Sequence, residues 1–333
     1  MKSLHICLVH DSVIPPPKYG GTERILFWLS KALMQLGHRV TLICKSGSNV
    51  PGAQLLSIDQ MGDGASRESC VPADVDLLHL WSTPSRMPKK PCLITIEGNG
   101  KPGETFHPNT VFVSLRHAQN HGSSHFVYNG IDPDEFSMDS HREPYLVFLA
   151  KASWKVKNLK GAIEIARAAG MPLHVLGSRD WPLRLQRLLP AWRGVHYYGM
   201  VGDLEKRAVL RKAHALLFPV RWHEPFGIAL TEALASGCPV FGTPYGSLPE
   251  IVSSEVGFLG TGVQEIAKAI RTQTFAPETC RKRVIQQFSH LQMAQKYLMY
   301  YERILSTGFI GQKDDIPSTQ FQTSSEDLLP FQF

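Results

Sequence analysis

Two lysines and two glutamates in the second half of the chain are candidate ligand-binding residues, because their charges could hold an anionic group and hydroxyl groups. Lys151 and Lys157 stand six positions apart, and Glu224 and Glu232 eight. Two fixed ammonium groups suit a diphosphate, because they neutralise the charge that develops on a leaving nucleoside diphosphate. Carboxylates accept hydrogen bonds from sugar hydroxyls, so Glu224 suits a transferred sugar and Glu232 a ribose. Taken alone, each pair also fits solvated charges on a helix surface.

Glycines mark two places where a backbone can approach an anion. Gly20 and Gly21 precede one helical pattern, and Gly227 precedes another. A glycine lets the backbone come close to a ligand, and the free N–H groups of the helix that follows favour negative charge. A glycine pair before a helix is equally typical of a tight turn.

These residues depend on an alternation of strands and helices. In the first half, the apolar run 4–9 predicts a strand, a helical pattern follows up to Gly37, and RVTLIC predicts a second strand. Such a βαβ unit makes a parallel sheet. Further strands are predicted at 76–80, 92–96, 111–115 and 125–129.

The same alternation restarts after a polar, proline-flanked segment at 132–144. Strands are predicted at 145–150, 172–177, 215–220 and 239–242, and helices at 158–169, 203–213, from 228 and at 290–305. We therefore predict an α/β protein with two facing Rossmann-like domains, 1–140 and 141–305, and a last helix that crosses their junction. Ligands of such sheets bind at the carboxyl ends of the strands, here in a cleft between the domains.

The remaining segment, 306–333, shows no periodicity and is predicted to be a disordered tail. The alternative is that its terminal apolar residues dock onto a partner or a membrane. A second membrane hypothesis concerns Leu26, Phe27 and Trp28 beside two basic residues, although a core-facing helix explains them as well and is preferred.

Composition and charge limit the function classes. A chain of 333 residues has room for two cores, and its net charge of +6 suits an anionic partner. No aromatic-interleaved basic motif accompanies that charge, which argues against nucleic acid. The six cysteines are dispersed, and neither a cleaved leader nor an apolar run of membrane-spanning length is present, so we expect a cytoplasmic protein, with peripheral membrane association as the alternative.

Several patterns that could hold a metal ion are set aside. Asp74 with Asp76, and Asp132 with Asp134, have an Asp-x-Asp spacing that is common by chance. Histidines recur every fourth position at 117, 121 and 125, but Gly122 interrupts any helix that would align them. We therefore expect no metal and no cofactor.

The segment HEPFGIALTEALASGCPVFGTPYGSLPEI, together with PPPKYGGTERILFWLSKAL, VYNGIDPDEF and the lysine pair, resembles a known enzyme family. It is similar to the retaining nucleotide-sugar glycosyltransferases of family four, which have the GT-B fold, and the resemblance spans residues 4 to about 305. The tryptophan in RWHEPFG is similar to a subgroup that glycosylates antibiotics and other small molecules.

The resemblance implies roles by motif position. Lys151 and Lys157 would hold the diphosphate, Glu224 the donor sugar and Glu232 the ribose. The other residues implied in donor binding are Gly20, Gly21, Gly177, Met200, Val201, Phe226, Gly227, Ile228 and Ala229.

Two positions depart from the family pattern. Lys151 replaces the more usual arginine, which keeps the charge but loses the bidentate fork. Glu97 ends a strand where many members carry histidine, and its carboxylate can orient an acceptor hydroxyl or amine. If Glu97 assists proton movement, Glu97→Gln lowers transfer by ~10² or more.

The implied activity is metal-independent transfer of a sugar from a UDP- or GDP-sugar, with UDP favoured, to a glycan, lipid or small-molecule hydroxyl. The implied chemistry retains the anomeric configuration and needs no dedicated protein base. Two alternatives remain open: a non-catalytic sugar-nucleotide or glycan-binding module, and a nucleotide-sugar epimerase on the same scaffold.

Overall fold

The computed structural model describes residues 2–18, 20–60, 70–139, 141–178, 194–320 and 328–333. The chain divides into two compact units. The first comprises Met1–Asp132 with Ser289–Gln322, and the second comprises Pro133–Phe288 with Thr323–Phe333.

Each unit contains a six-stranded sheet in which every pairing is parallel. The strands of the first are β1 (His5–Val9), β2 (Arg39–Cys44), β3 (Gln54–Ser57), β4 (Leu77–Leu80), β5 (Cys92–Ile96) and β6 (Thr110–Phe112). Those of the second are β7 (Glu143–Leu149), β8 (Leu173–Leu176), β9 (Val195–Gly199), β10 (Ala213–Phe218), β11 (Val240–Gly242) and β12 (Gly257–Leu259). Their orders are β3-β2-β1-β4-β5-β6 and β12-β11-β10-β7-β8-β9.

Helices connect β1 to β2 in the first unit and most consecutive strands of the second unit, as is usual for parallel crossovers. The helices of the described residues are α1 (Gly21–Gln35), α2 (Leu115–Gln119), α3 (Leu159–Ala169), α4 (Asp203–Leu210), α5 (Ile228–Ala235), α6 (Leu248–Ile251), α7 (Val263–Thr272), α8 (Pro277–Gln287) and α9 (His290–Thr307). Short 3-10 turns occur at Ile58–Gln60, Pro133–Glu135 and Lys155–Lys157. The prediction of two Rossmann-like α/β halves of the GT-B type is confirmed.

The apolar runs form the cores because helices cover parallel sheets on both faces. In the second unit, Leu146 and Phe148 on β7 pack with Ile163 on α3 and Ile266 on α7. In the first unit, Cys7 on β1 packs with Ile43 on β2 and Leu78 on β4.

Helix α1 carries the apolar residues that could have formed a membrane-facing surface, and it buries them in the protein. Leu26 and Trp28 are 0% and 2% exposed. The core interpretation is therefore confirmed for these two side chains. Over the parts of the chain that the structure describes, we find no helix with the length and apolar character that crossing a membrane requires.

The last helix, α9, corrects one predicted boundary. It was assigned to a second domain ending at residue 305, but it belongs to the first unit. Its tyrosines explain why: Tyr301 hydrogen-bonds to His79 on β4 at 2.7 Å, and Tyr297 to Thr95 on β5 at 3.0 Å. An aromatic stripe in the sequence predicts that a helix packs against the rest of the protein, but it does not predict which of the two sheets the helix contacts. The first boundary also moves, from residue 140 to Asp132.

The described parts of the tail are ordered by contacts with the chain itself, which corrects the prediction of disorder for residues 306–320 and 328–333. Phe106 N donates to Pro317 O at 2.8 Å in the first unit. In the second unit, Gln332 N donates to Thr261 O at 2.8 Å, and Phe331 lies in the core. Periodicity could not reveal this docking because each contact joins an irregular segment to a distant loop.

Other differences concern short elements. The predicted strand at 125–129 is wrong, since this segment makes only a single bridge, between Phe112 and Phe126. Helix α2 forms instead just after β6, where the Ser114 side chain accepts a hydrogen bond from His117 N. Strands β3, β9 and β12 were not predicted, because three to five residues give too little alternation to detect.

Candidate functional site

Most predicted site residues of the second unit lie at one edge of its sheet. Strands β10, β7, β8 and β9 are neighbours and run parallel. Lys151, Gly177 and Met200 come directly after β7, β8 and β9, and Glu224 follows β10. Because carboxyl ends of parallel strands meet at the same edge, the four segments converge where open α/β sheets bind ligands.

Lys157 and Glu224 form a buried ion pair at this edge. The Lys157 Nζ lies 2.6 Å from Glu224 Oε2, and the two residues are 7% and 6% exposed. The Trp222 indole N–H donates to the same carboxylate oxygen at 2.6 Å. Glu224 is therefore held on two sides, by an ammonium group and by an indole.

Local backbone geometry presents Lys157 to this pair. The residue ends a 3-10 turn, and the next residue, Asn158, has φ 57° and caps α3 by accepting from Gly161 N at 3.0 Å. A further bond from Arg221 N to Val156 O at 2.7 Å joins the turn to the segment after β10. The two halves of the pair are thus fixed to each other through their main chains.

Two packed tryptophans lie between Lys151 and the ion pair. The Lys151 ammonium lies 4.7 Å from the centre of the Trp154 ring, and Lys157 lies 4.7 Å from that of Trp222. The two indoles pack edge to face with centroids 6.3 Å apart. Both cations therefore flank one aromatic pair, which the sequence analysis did not include in the site. The signal for Trp222 was present, because it precedes the EPFG motif.

The loop that carries Glu224 leads into α5, and hydrogen bonds from Ser247 hold it in place. Gly227 caps the helix with φ 85°, so that the first-turn amides of Ile228 and Ala229 follow it directly. Ser247 N donates to Glu224 O at 3.0 Å, and Ser247 Oγ donates to Phe226 O at 2.8 Å. Sequence reasoning missed this support.

Gly246 has to be glycine at the back of the same loop. Its φ is 63°, in the left-handed region, and a Cβ there would lie 2.3 Å from the N and O atoms of Glu224. The glycine of the YGS turn, which the sequence shows, is the signal that could have found it.

Glu232 has a partner that the sequence did not predict. Its carboxylate accepts a hydrogen bond from Lys206 on α4, and both side chains are buried. Lys206 also lies 3.0 Å from Asp203 Oδ1. The ammonium group thus joins α4, which follows β9, to α5.

The remaining predicted residues of this unit differ in their burial and in the room around them. Gly177 has φ 96°, and a Cβ there would lie 2.4 Å from Ala150 O, so only glycine fits beside the start of the Lys151 segment. Met200 is 36% exposed and Val201 is partly buried. Phe226 is 2% exposed and packs edge to face on Phe288 at 5.9 Å. Its ring belongs to the core, and its part in donor binding stays a prediction.

Gly20 and Gly21 lie at the amino terminus of α1 in the first unit. A Cβ on Gly20 would come within 2.6 Å of Glu23 Oε2 and 2.8 Å of Pro16 Cβ. Close packing therefore requires a glycine at position 20. The carboxylate of Glu23 lies against it, so an anion at this turn would meet a negative charge.

Glu97 follows β5 in the first unit and is partly buried. Burial raises the pKa of its carboxyl group to about 7, although Asn129, which donates to Oε2 at 2.8 Å, acts in the opposite direction. A side-chain hydrogen bond with Trp81 also lowers the pKa, whereas the charge of Glu23 raises it. Near neutral pH this group is therefore partly protonated, and it can both donate and accept a proton.

Comparison with known proteins agrees with this geometry. Residues 133–286 match the family model of the Glycosyl transferases group 1. The matched residues make up most of the second unit, which is thus similar to a group 1 glycosyltransferase domain. This match supports sugar transfer as the class of activity, and it covers the residues from Lys151 to Glu232.

Relatives by sequence and by structure extend the comparison. An uncharacterized 41.2 kDa protein in the cps region of Klebsiella pneumoniae is 28% identical over 116 residues, which is 32% of each chain. The chain thus matches about a third of the length of that relative. AviGT4, a glycosyltransferase involved in avilamycin A biosynthesis, superposes with a TM-score of 0.76 at 24% identity, over 91% of this chain and 98% of that one.

A third similar structure is HepE of Anabaena in complex with UDP and glucose. It has a TM-score of 0.66 at 15% identity, and the match covers 91% of this chain and 99% of HepE. At these identities the likeness to AviGT4 and HepE concerns the fold, which is the GT-B fold of glycosyltransferases.

Proposed function

We propose that this chain transfers a sugar from a nucleoside diphosphate sugar, with UDP favoured over GDP, to a hydroxyl group of a glycan, lipid or small molecule. One observation carries the proposal: the buried pair of Lys157 and Glu224 at the carboxyl edge of a group 1 glycosyltransferase domain. That pair offers a cation for a phosphate and a carboxylate for a sugar within the same few ångströms.

Donor binding changes the partners within this pair. A diphosphate competes with Glu224 for the Lys157 ammonium, and Lys151 adds a second cation from the end of β7. The released carboxylate accepts hydrogen bonds from sugar hydroxyls while the Trp222 indole keeps it oriented.

Other groups hold the ends of the donor. The first amides of α5, at Ile228 and Ala229, suit phosphate oxygens because a helix amino terminus favours anions. Glu232 accepts hydrogen bonds from the ribose hydroxyls, and Lys206 fixes the orientation of its carboxylate. Met200 and Val201, after β9, border the nucleobase in this proposal.

The chemical step retains the configuration at the anomeric carbon. The bond from that carbon to the diphosphate oxygen breaks, the bond to the acceptor oxygen forms on the same face, and the leaving phosphate takes the acceptor proton. The two lysines stabilise the negative charge that develops on the diphosphate. Ammonium groups supply this charge in the proposal, so the reaction proceeds without a metal ion. Glu97 acts on the acceptor side.

The similar structures support this donor class. HepE is solved in complex with UDP and glucose, and AviGT4 is a glycosyltransferase involved in avilamycin A biosynthesis. A non-catalytic binding module and an epimerase are the competing functions. Each of them could use the same ammonium and carboxylate to hold a sugar nucleotide, so the products formed with and without an acceptor distinguish them from a transferase.

A thermal-shift screen followed by product analysis tests the proposal. UDP, GDP and their glucose conjugates are added to the full chain, and a nucleotide at ~100 times its dissociation constant stabilises the fold by roughly 2.7 kcal/mol. We expect UDP to stabilise more than GDP. Turnover with an acceptor panel, with and without EDTA, is then followed by NMR of the anomeric proton.

Each outcome separates the competing functions. A retained anomer formed equally well in EDTA agrees with the proposal. UDP binding without turnover on any acceptor indicates a binding module, and an epimerised nucleotide sugar without acceptor indicates an epimerase. If no nucleotide stabilises the chain, the proposed donor site is wrong.

A further inference from the structure

Trp154 lies midway between Lys151 and Lys157, three residues from each. Its N–H donates to Lys151 O at 2.9 Å, and its carbonyl oxygen accepts from Lys157 N at 3.0 Å. Each of these bonds closes a turn between residues three positions apart. The spacing of six between the lysines is therefore the length of two consecutive turns that share Trp154.

Hydrogen bonds of the main chain hold this double turn on both sides of β7. Ala152 N donates to Gly177 O, after β8, at 3.1 Å, and Arg221 N, after β10, donates to Val156 O at 2.7 Å. None of these bonds involves the Trp154 side chain, which is 41% exposed. The turn thus has a fixed backbone that presents a large aromatic ring at the edge where this sheet is expected to bind a ligand.

The two ammonium groups beside this turn differ in their partners. Lys157 is buried against the Glu224 carboxylate, whereas Lys151 forms no ion pair with any residue that the structure describes. Its Nζ lies instead 4.7 Å from the centre of the Trp154 ring. The face of an indole attracts a cation without neutralising it. The charge of Lys151 therefore stays available to an anion.

Ordering matters for Lys151 because a lysine head on a four-carbon stem has much rotational freedom to lose when it binds. A ring that holds the ammonium beforehand lowers this entropic cost. The Trp154 ring itself packs edge to face on Trp222, at 6.3 Å between centroids. Trp222 is fixed in turn, because its N–H donates to Glu224 Oε2 at 2.6 Å.

We propose that Trp154 is a positioning residue for the diphosphate of the donor. Its ring orders the Lys151 ammonium, and the two turns that it joins set this ammonium at a fixed distance along the chain from Lys157. The identity of the anion as a diphosphate rests on the proposed function. The ring acts through Lys151, so its contribution should disappear when Lys151 loses its charge.

A double-mutant cycle on the full chain tests this coupling, with the affinity for UDP measured by calorimetric titration. Trp154→Leu removes the ring, Trp154→Phe keeps a ring, and each change is made in the wild type and in Lys151→Met. Thermal unfolding of every variant shows that the fold is intact. Lys155→Met is the matched control, because it removes an exposed ammonium from the same turn.

Trp154→Leu should weaken the binding of UDP about fourfold in the wild type, as expected for loss of a partly exposed cation–π contact. In Lys151→Met the same change should have almost no effect, since the cycle isolates the pairwise contribution. Trp154→Phe should retain most of the affinity, and Lys155→Met should bind UDP nearly as the wild type does.

A fourfold loss that persists in Lys151→Met would assign Trp154 a general structural role and overturn the proposal. Unchanged affinity in Trp154→Leu, or an equal loss in Lys155→Met, would overturn it as well. In each of these cases the wild type still binds UDP, so the proposed function is unaffected. A wild type that does not bind UDP would instead contradict the proposed function, and with it a diphosphate held by Lys151.

Discussion

Glu224 and Glu232 in the second unit have ammonium partners, whereas the partner of Glu97 in the first unit is an amide. Lys157 and Lys206 each contribute a buried ammonium to their glutamate. Glu97 receives a hydrogen bond from Asn129, and burial raises its pKa. The same side chain thus forms buried ion pairs in one unit, whereas in the other it is a carboxyl group with a raised pKa. The comparison teaches that the partner, more than the residue type, decides what a buried carboxyl group can do.

Removal of one carboxylate from an ion pair should have the largest effect. Glu224→Ala leaves the Lys157 ammonium buried without its carboxylate, which typically costs about 3–5 kcal/mol of unfolding free energy. Loss of the sugar contact should lower transfer by on the order of 10² or more. Urea unfolding and initial rates measure both effects.

The control for Glu224 is an exposed glutamate of the same unit. Glu164 lies 3.0 Å from Arg167 with both side chains about a third exposed. Glu164→Ala should change stability by no more than about 1 kcal/mol and leave transfer unchanged. Equal losses in the two variants would mean that burial of the Glu224 pair has no special consequence.

Lys206 tests whether an ammonium positions the second glutamate. Lys206→Met should weaken the binding of UDP about tenfold, or by about 1.4 kcal/mol, because the Glu232 carboxylate is no longer held towards the ribose. Binding of 2′,3′-dideoxy-UDP, which lacks the ribose hydroxyls, should change much less, and Lys206→Arg should restore part of the affinity. Calorimetric titration measures all of these.

Lys212→Met is the matched control, because Lys212 pairs with Glu143 at 3.0 Å with both side chains partly exposed. It should bind UDP as the wild type does. A loss of dideoxy-UDP affinity as large as the loss for UDP in Lys206→Met would assign Lys206 a general structural role.

Glu97 should give a pH dependence opposite to that of an ion-paired carboxylate. Its pKa is raised from 4.5 to about 7 in the folded chain. The folded state therefore binds more protons than the unfolded state around these pH values. This group thus lowers the free energy of unfolding as pH rises, by at most about 1.4 kcal/mol per pH unit, and the effect levels off about one pH unit above the folded-state pKa. Glu97→Gln removes this slope. Urea unfolding of both proteins at pH 5, 6, 7 and 8 measures it, and parallel curves would contradict the raised pKa.

Removal of the terminal segment should have the smallest effect, and it should affect only the site around Lys157 and Glu224. Leu329 and Arg221, the residue before Trp222, exchange backbone and side-chain hydrogen bonds at 2.8 and 2.7 Å. Deletion of residues 328–333 should weaken the binding of UDP about threefold, or by about 0.65 kcal/mol. Unchanged UDP affinity in the deletion would show that the segment does not support the Trp222 loop.

The sequence predicted more of the second unit than of the first. The E-P-F-G motif, Gly227 and the lysine pair lie in or next to regular elements whose periodicity is strong, so their strand and helix positions could be predicted locally. In the first unit, Glu97 after β5 hydrogen-bonds to Trp81 after β4 and to Asn129 from an irregular segment. Only the strand order brings these residues together, and strand order is not encoded in any one window of sequence.

By itself, the sequence determined the two α/β halves, the cations Lys151 and Lys157, and the carboxylates Glu224 and Glu232, since short-range patterns of hydrophobicity and glycine specify strands, helices and their ends. Tertiary structure alone decided the partners. It paired Lys157 with Glu224 across 67 positions, gave Glu232 its lysine, and placed α9 in the first unit through a bond between His79 and Tyr301, 222 positions apart. The physical reason is that folding has to satisfy buried charges and polar groups with whatever the packed elements bring near, and that proximity exists only in three dimensions.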